Sequence, residues 1–415
     1  MGSLRVLAIV LAFGAGLAVF AATRAGAPAS SPSAVPGVRP APLAELQAAV
    51  RARRPGSETA LASAYLQRAR ETGDLADHAR AEALLRRALA RDPRDAGAVV
   101  ELGTLAASRH DFRRALTLAR RAQALAPGSL AHYPLLVDAL VELGRYGAAQ
   151  RALQRFIDLW PGLPAYARIS YVRELHGDLA GAAQAMALAV AAGGAAVENV
   201  AAVQVLHGDL EAARGRPSRA ARDYAEALAG VPGFVPALAG RARLAASRGD
   251  LRGAIATMRS VVARLPLPEH VIALGELQLA AGRPGAARHT FALAGAQRVL
   301  LAEAGVDTDA ESAAFEADHG SPRRAVALGR RAWAAAPGIR SADALGWALT
   351  RAGHRRKGLR WVHRTLRLGS LDPLLRFHAG MAARGAERRR HLRLALAHGL
   401  AARPWQAATA REALR

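Results

Sequence analysis

The chain has 415 residues, a formal net charge of +24, 52% hydrophobic residues and only 5% aromatic ones. That balance excludes a disordered chain, the scarcity of aromatic residues argues against an all-β fold, and the lack of cysteine excludes disulfides, thiolate metal sites and cysteine nucleophiles. An Ala-, Leu- and Arg-rich composition favours helix. All basic residues but Lys357 are arginine; codon usage in a GC-rich genome produces such an excess, so charge alone does not indicate nucleic acid.

In chain order, the first feature is Arg5 followed by the charge-free run Val6–Ala22. A basic start, an apolar stretch and the small-residue sequence Ala27-Pro28-Ala29 predict a signal peptide over residues 1–29, or an uncleaved membrane anchor, and hence an extracytoplasmic protein, secreted, periplasmic or membrane-tethered. Residues 30–43 are dense in Pro, Ser and Ala and read as a linker. Ala41–Arg54 then reads as a leading cap helix, and residues 400–415 as a basic tail.

Between them lies a repeat. Pro93, Pro127 and Pro161 are 34 residues apart, as are Pro232 and Pro266. Twelve residues before the prolines stand Ala81, Ala115, Ala149, Ala220, Ala254 and, before Pro337, Ala325. Glycines, among them Gly73, Gly144, Gly177, Gly249, Gly320 and Gly353, mark a turn in mid-repeat. Each unit thus predicts a helix, a glycine turn, a second amphipathic helix such as Phe112–Ala126, and a terminating proline. A single hairpin cannot bury its apolar face, so neighbours must stack. The extra residues of the first unit are expected in its turn, near Ala76–Arg80; Gly295–Gly305 lengthens a junction; and the last unit has a shortened turn near Arg384–Arg388.

The Leu102-Gly103, Ala115, Ala122 and Pro127 spacing, repeated from Tyr133 to Pro161, resembles the tetratricopeptide repeat (TPR) superfamily. The resemblance extends over about Glu58–Gly399 and implies an all-α solenoid of helical hairpins, about ten units in a right-handed superhelix over residues 44–399. It also implies a concave groove that binds a partner segment. Carried across unit by unit, the groove positions are Asp138, Tyr171, Glu174, Asp209, Arg243, Glu276, Trp347 and Thr350. With Lys357 and Asn199 the only residues of their types, a family-style carboxylate clamp is not expected.

Chemistry motifs are sparse. None of the thirteen histidines stands three or four residues from another, and no metal-ligand, phosphate-loop or nucleophile motif occurs. The expectation is a non-enzymatic scaffold or adaptor with protein partners, no metal, no cofactor and no nucleic acid. An enzyme would require carboxylates or histidines to converge in the fold. The alternative function is binding to an anionic surface, phospholipid or acidic wall polymer, through the C-terminal third, where Arg355, Arg356 and Lys357 and Arg388, Arg389 and Arg390 cluster.

Overall fold

The computed structural model describes residues 42–194 and 196–415. The signal or anchor segment and nearly all of the linker lie outside the described residues. Among the described residues the chain is all helix, and no helix is long and apolar enough to cross a membrane.

A leading helix, α1 (Leu43–Arg51), lays Leu43, Leu46 and Val50 against the core. Ten antiparallel hairpins follow. The first is α2 (Ser57–Thr72) with α3 (Ala76–Arg91), the second α4 (Ala96–Ser108) with α5 (Phe112–Leu125), the third α6 (His132–Glu142) with α7 (Tyr146–Leu159). Units four to six are α8 (Leu163–Leu175) and α9 (Leu179–Ala192), α10 (Val197–Ala213) and α11 (Pro217–Gly230), α12 (Val235–Ser247) and α13 (Leu251–Arg264). Units seven and eight are α14 (Pro268–Ala280) and α15 (Pro284–Glu303), α16 (Asp309–His319) and α17 (Pro322–Ala335). Units nine and ten are α18 (Ile339–Arg351) and α19 (Arg355–Thr365), α20 (Pro373–Ala382) and α21 (Gly385–Ala397).

The repeat register is a packing register. Ala81, Ala115, Ala220, Ala254 and Ala325 are completely buried and Ala149 is nearly so. A methyl is the largest group these helix–helix contacts admit. Most of the turn glycines adopt positive φ, from +69° at Gly144 to +84° at Gly249, where a side chain would be strained. Gly320 is a correction: its φ is −136°, and Ser321 caps the next helix instead. In the second unit His110, at φ +62°, fills the left-handed place.

The irregular units resolve differently from the sequence expectation. In the first unit the extra residues lengthen both helices to sixteen residues, and the turn itself is only Gly73–Leu75. Gly295 lies inside α15, which runs twenty residues to Glu303. Residues 400–415 are not a free tail: a short turn at Leu400–Ala402 leads into α22 (Pro404–Glu412), with Leu400, Ala407 and Ala410 fully buried.

The solenoid also closes on itself. The Asp307 N–H donates to the Arg109 carbonyl, the Ile339 N–H to the Tyr146 hydroxyl at 2.9 Å, and the Arg113 guanidinium to the Ala334 and Ala335 carbonyls. Ile339 and Leu375, from units nine and ten, belong to the same apolar core as Leu135 and Leu140 of unit three. Every residue of α6 is consequently buried, whereas an open solenoid would leave one face of such a helix to solvent.

A closed groove and an acid-lined chamber

Of the groove positions inferred from the sequence, Asp138, Tyr171, Asp209, Arg243, Glu276 and Trp347 prove to be internal fastenings between units. Asp138 on α6 accepts two hydrogen bonds from Arg168 on α8, at 2.8 and 2.6 Å, and Arg168 is 1% exposed. Asp209 on α10 takes one from the Tyr224 hydroxyl at 2.6 Å and one from Arg243 on α12 at 2.7 Å. Asp343 on α18 faces His378 on α20 at 2.9 Å. In each pair a carboxylate on the first helix of one unit meets a cation, or an imidazole, 30 to 35 residues later on the first helix of the next. That spacing was a signal available in the sequence, and it was missed.

Tyr171 is buried on α8, its hydroxyl accepting from Arg340 on α18 at 3.2 Å, and burial holds its proton well above the usual tyrosine range. Arg340 also stands 3.6 Å from Glu142. Here unit nine occupies the concave face that unit four was expected to offer a partner. Glu174 is half-buried on α8. Thr350 donates to the Gly346 carbonyl of its own helix. Trp347 is 2% exposed, stacked on His378 with ring centres 4.3 Å apart, and its indole N–H donates to Asp318 at 3.0 Å.

What remains of the groove is a chamber of about 480 Å³, walled by units one, seven, eight and ten and by α22. Leu265, Leu267, Ile272, Leu301, Val306 and Phe315 supply apolar walls, and Leu300, 57% exposed, stands at the rim. Its carboxylates outnumber its guanidinium groups: Asp74, Glu269, Glu276, Glu311, Glu316 and Asp318 against Arg70, Arg298 and Arg403. Burial pushes the Glu269 carboxyl up to about 7, with the neighbouring Glu311 charge adding to the effect. Desolvation pushes Asp318 up to about 6 against the attraction of His378, and lowers Arg70 and Arg403 to about 10.

Glu276, Asp318 and His319 converge on one wall, their ligand atoms all within 4.8 Å of one another. This is the kind of cluster that the absence of sequence motifs argued against. Its members are, however, already engaged. Glu276 accepts from Gln406 at 2.8 Å, lies 3.3 Å from His319 and 3.6 Å from Arg403, and Asp318 accepts from Trp347. A cation in this place would have to displace α22 contacts and the Arg403 charge. Asp318 and His319 are neighbours in sequence, but the chamber residues as a set come from segments spread between Arg70 and Gln406.

The inferred basic patch divides in two. Arg355 donates to the Met381, Ala382 and Ala383 carbonyls and Arg388 to Ala383, so both finish the C-terminus of α20. Arg356, Lys357, Arg389 and Arg390 are exposed.

Fold and site together define a solenoid of helical hairpins whose concave face is filled by its own later units apart from one acid-lined chamber. No family model and no curated protein matches the chain. Solved structures similar to it include a tetratricopeptide repeat protein from Parabacteroides merdae, at 15% identity over 69% of this chain and 98% of that one, with a TM-score of 0.39. The human IFIT1 dimer with PPP-AAAA is 14% identical over 79% of this chain and 94% of that one, with a TM-score of 0.44. For the APC/C hetero-tetramer Cut9-Hcn1 the values are 15%, 87%, 64% and 0.38, so the match spans less than two thirds of that chain. At these identities nothing about the ligand of this chain follows from the likenesses.

Proposed function

We propose that the protein is a non-enzymatic interaction scaffold working outside the cytoplasmic membrane, and that its recognition site is the chamber rather than an open groove. The ligand it suits is a short segment of a protein partner presenting apolar side chains and one cation. One observation carries this reading. In a protein of net charge +24, the chamber lining holds twice as many carboxylates as guanidinium groups, and the Glu269 carboxyl there has no cation among the groups acting on it. Burial makes ionising Glu269 costly, and a bound cation would offset that cost. A volume of this size holds a few side chains, not a folded domain. The reading as a scaffold rather than a catalyst is supported by the engaged state of the Glu276 cluster, whose carboxylates already have donors.

A photoreactive residue in place of Ile272 should cross-link a co-purifying partner, and Glu269→Gln should weaken capture on the order of tenfold while leaving the helical signal unchanged. Labelling confined to residues outside the chamber would overturn the chamber as the site. Export is tested separately: a reporter fused after Arg415 should be active only outside the cytoplasm, and cytoplasmic activity would refute the placement.

A further inference from the structure

We infer that the outer face of units nine and ten docks onto an anionic lipid bilayer. This goes beyond the chamber reading and does not depend on it. The second helices of the last units stand side by side, as contacts across them show: Trp333 on α17 meets Trp361 on α19 edge to face at 4.7 Å, and His363 on α19 lies 3.0 Å from Glu387 on α21. Along α19, Arg356, Arg360 and Arg364 recur every four residues, which places them in one stripe on the helix. Arg356, Lys357, Arg360, Arg364, Arg389 and Arg390 are all exposed, and among the described residues none forms an ion pair. The three helices carry a single carboxylate, Glu387. Arg355 and Arg388, by contrast, are turned toward the carbonyls that end α20.

Codon usage accounts for arginine in bulk but not for its separation from acids. Several arginines of the other units meet carboxylates, as at Arg298 and Glu316 or Arg68 and Asp77. Here six exposed cations share three helices that carry one carboxylate, and that carboxylate faces His363. Unpaired guanidinium groups are fork-shaped donors suited to phosphate oxygens.

The choice between a bilayer and a nucleic acid rests on the aromatic pair. Single-stranded nucleic acid needs open ring faces on which bases stack. Here Arg364 lies over both rings, 4.8 Å from the Trp333 centre and 5.5 Å from that of Trp361, and both indoles are half-buried. Partly buried indoles beside cations suit the headgroup region of a membrane. None of its six cations lines the chamber. The same chain carries the charge-free run Val6–Ala22, read above as a signal peptide or membrane anchor.

The test is sedimentation of the full chain with vesicles containing phosphatidylglycerol, against vesicles of phosphatidylcholine alone. The triple variant Arg356→Gln, Arg360→Gln, Arg364→Gln should lose on the order of a hundredfold in affinity for the anionic vesicles, roughly fivefold per cation. Its binding to neutral vesicles, which reports residues 6–22, should not change. Raising salt from about 0.05 to about 0.5 M should abolish the difference between the two vesicle types. A second variant, Lys357→Glu with Arg389→Glu, should repeat the loss with an unchanged circular dichroism spectrum. Equal binding of triple variant and wild type to anionic vesicles would overturn the proposal. So would tighter binding of a single-stranded oligonucleotide than of anionic vesicles, lost in the same triple variant, which would make nucleic acid the ligand of this face.

Discussion

Glu101 shows how strongly burial governs individual residues here. It lies on α4, fully buried, and desolvation pushes its carboxyl up to about 8, with Ser63 and Arg70 offsetting only part of the shift. A carboxyl whose folded pKa exceeds its unfolded value binds its proton more tightly when folded. Its contribution is therefore complete below about pH 4.5 and lost as pH rises towards 8. Glu101→Gln, which cannot ionise, should match wild-type stability near pH 4.5 and exceed it by a few kcal/mol at pH 8, measured by urea denaturation at the two values. Equal stability at both would mean that Glu101 is ionised in the folded protein. The acid was visible in the sequence, but its environment was not. Glu101 stands in the middle of a helix that the repeat alone would leave half open.

At the scale of the element, the helices were largely legible because their signals are local. The Gly-Asp-Leu turns at Gly177-Asp178-Leu179 and Gly249-Asp250-Leu251 have a simple mechanical explanation. Asp178 and Asp250 are N-caps, each side chain accepting a backbone N–H three residues on, at 2.8 Å from Gly181 and from Gly253. Asp178→Ala should cost about 1 kcal/mol, read as a lowered urea midpoint with unchanged slope. Ala115, fully buried between helices, should tolerate no enlargement: Ala115→Leu is expected to cost about 1–3 kcal/mol by overpacking. An unchanged melting temperature would misplace the small-residue face. The errors at this scale were of length. Composition near Ala76–Arg80 and Gly295–Gly305 suggested longer connections, and helix propagation absorbed the residues instead, because a lone Gly295 inside an otherwise good helix-forming run costs only about 1 kcal/mol.

The whole molecule is decided by closure. Gly144 and Gly249 have the same role in their hairpins, at φ +69° and +84°. A Cβ on Gly249 would meet nothing within 4 Å, whereas one on Gly144 would run into the Pro337 carbonyl of the distant ninth unit. Both alanine variants pay the left-handed strain, about 1–2 kcal/mol. Gly144→Ala should cost about 1–3 kcal/mol more, since it must also part the closing units. Comparable losses for the two would show that units three and nine do not pack in solution. Closure also explains the fate of the inferred binding residues. Asp138, Asp209 and Tyr171 stand on first helices as the resemblance implied, but the concave face of the later units, and α22 with them, packs into the space a partner was expected to fill. The chamber is the remainder.

Taken by itself, the sequence determined the all-helical class, the 34-residue register, the ten hairpins and their close alanine contacts, because each depends on residues within one or two turns or one repeat of each other. It also showed that the C-terminal third is basic, since charge can be counted without a fold. Only the tertiary structure decided which arginines are free, that Glu276 shares a wall with Asp318 and Gln406, and that a chamber rather than an open groove faces a ligand. Those facts depend on how the ten units sit relative to one another, which brings units two and three against units eight and nine. No single repeat encodes that placement, and residues as far apart as Glu276 and Gln406 become neighbours only when all the units are stacked.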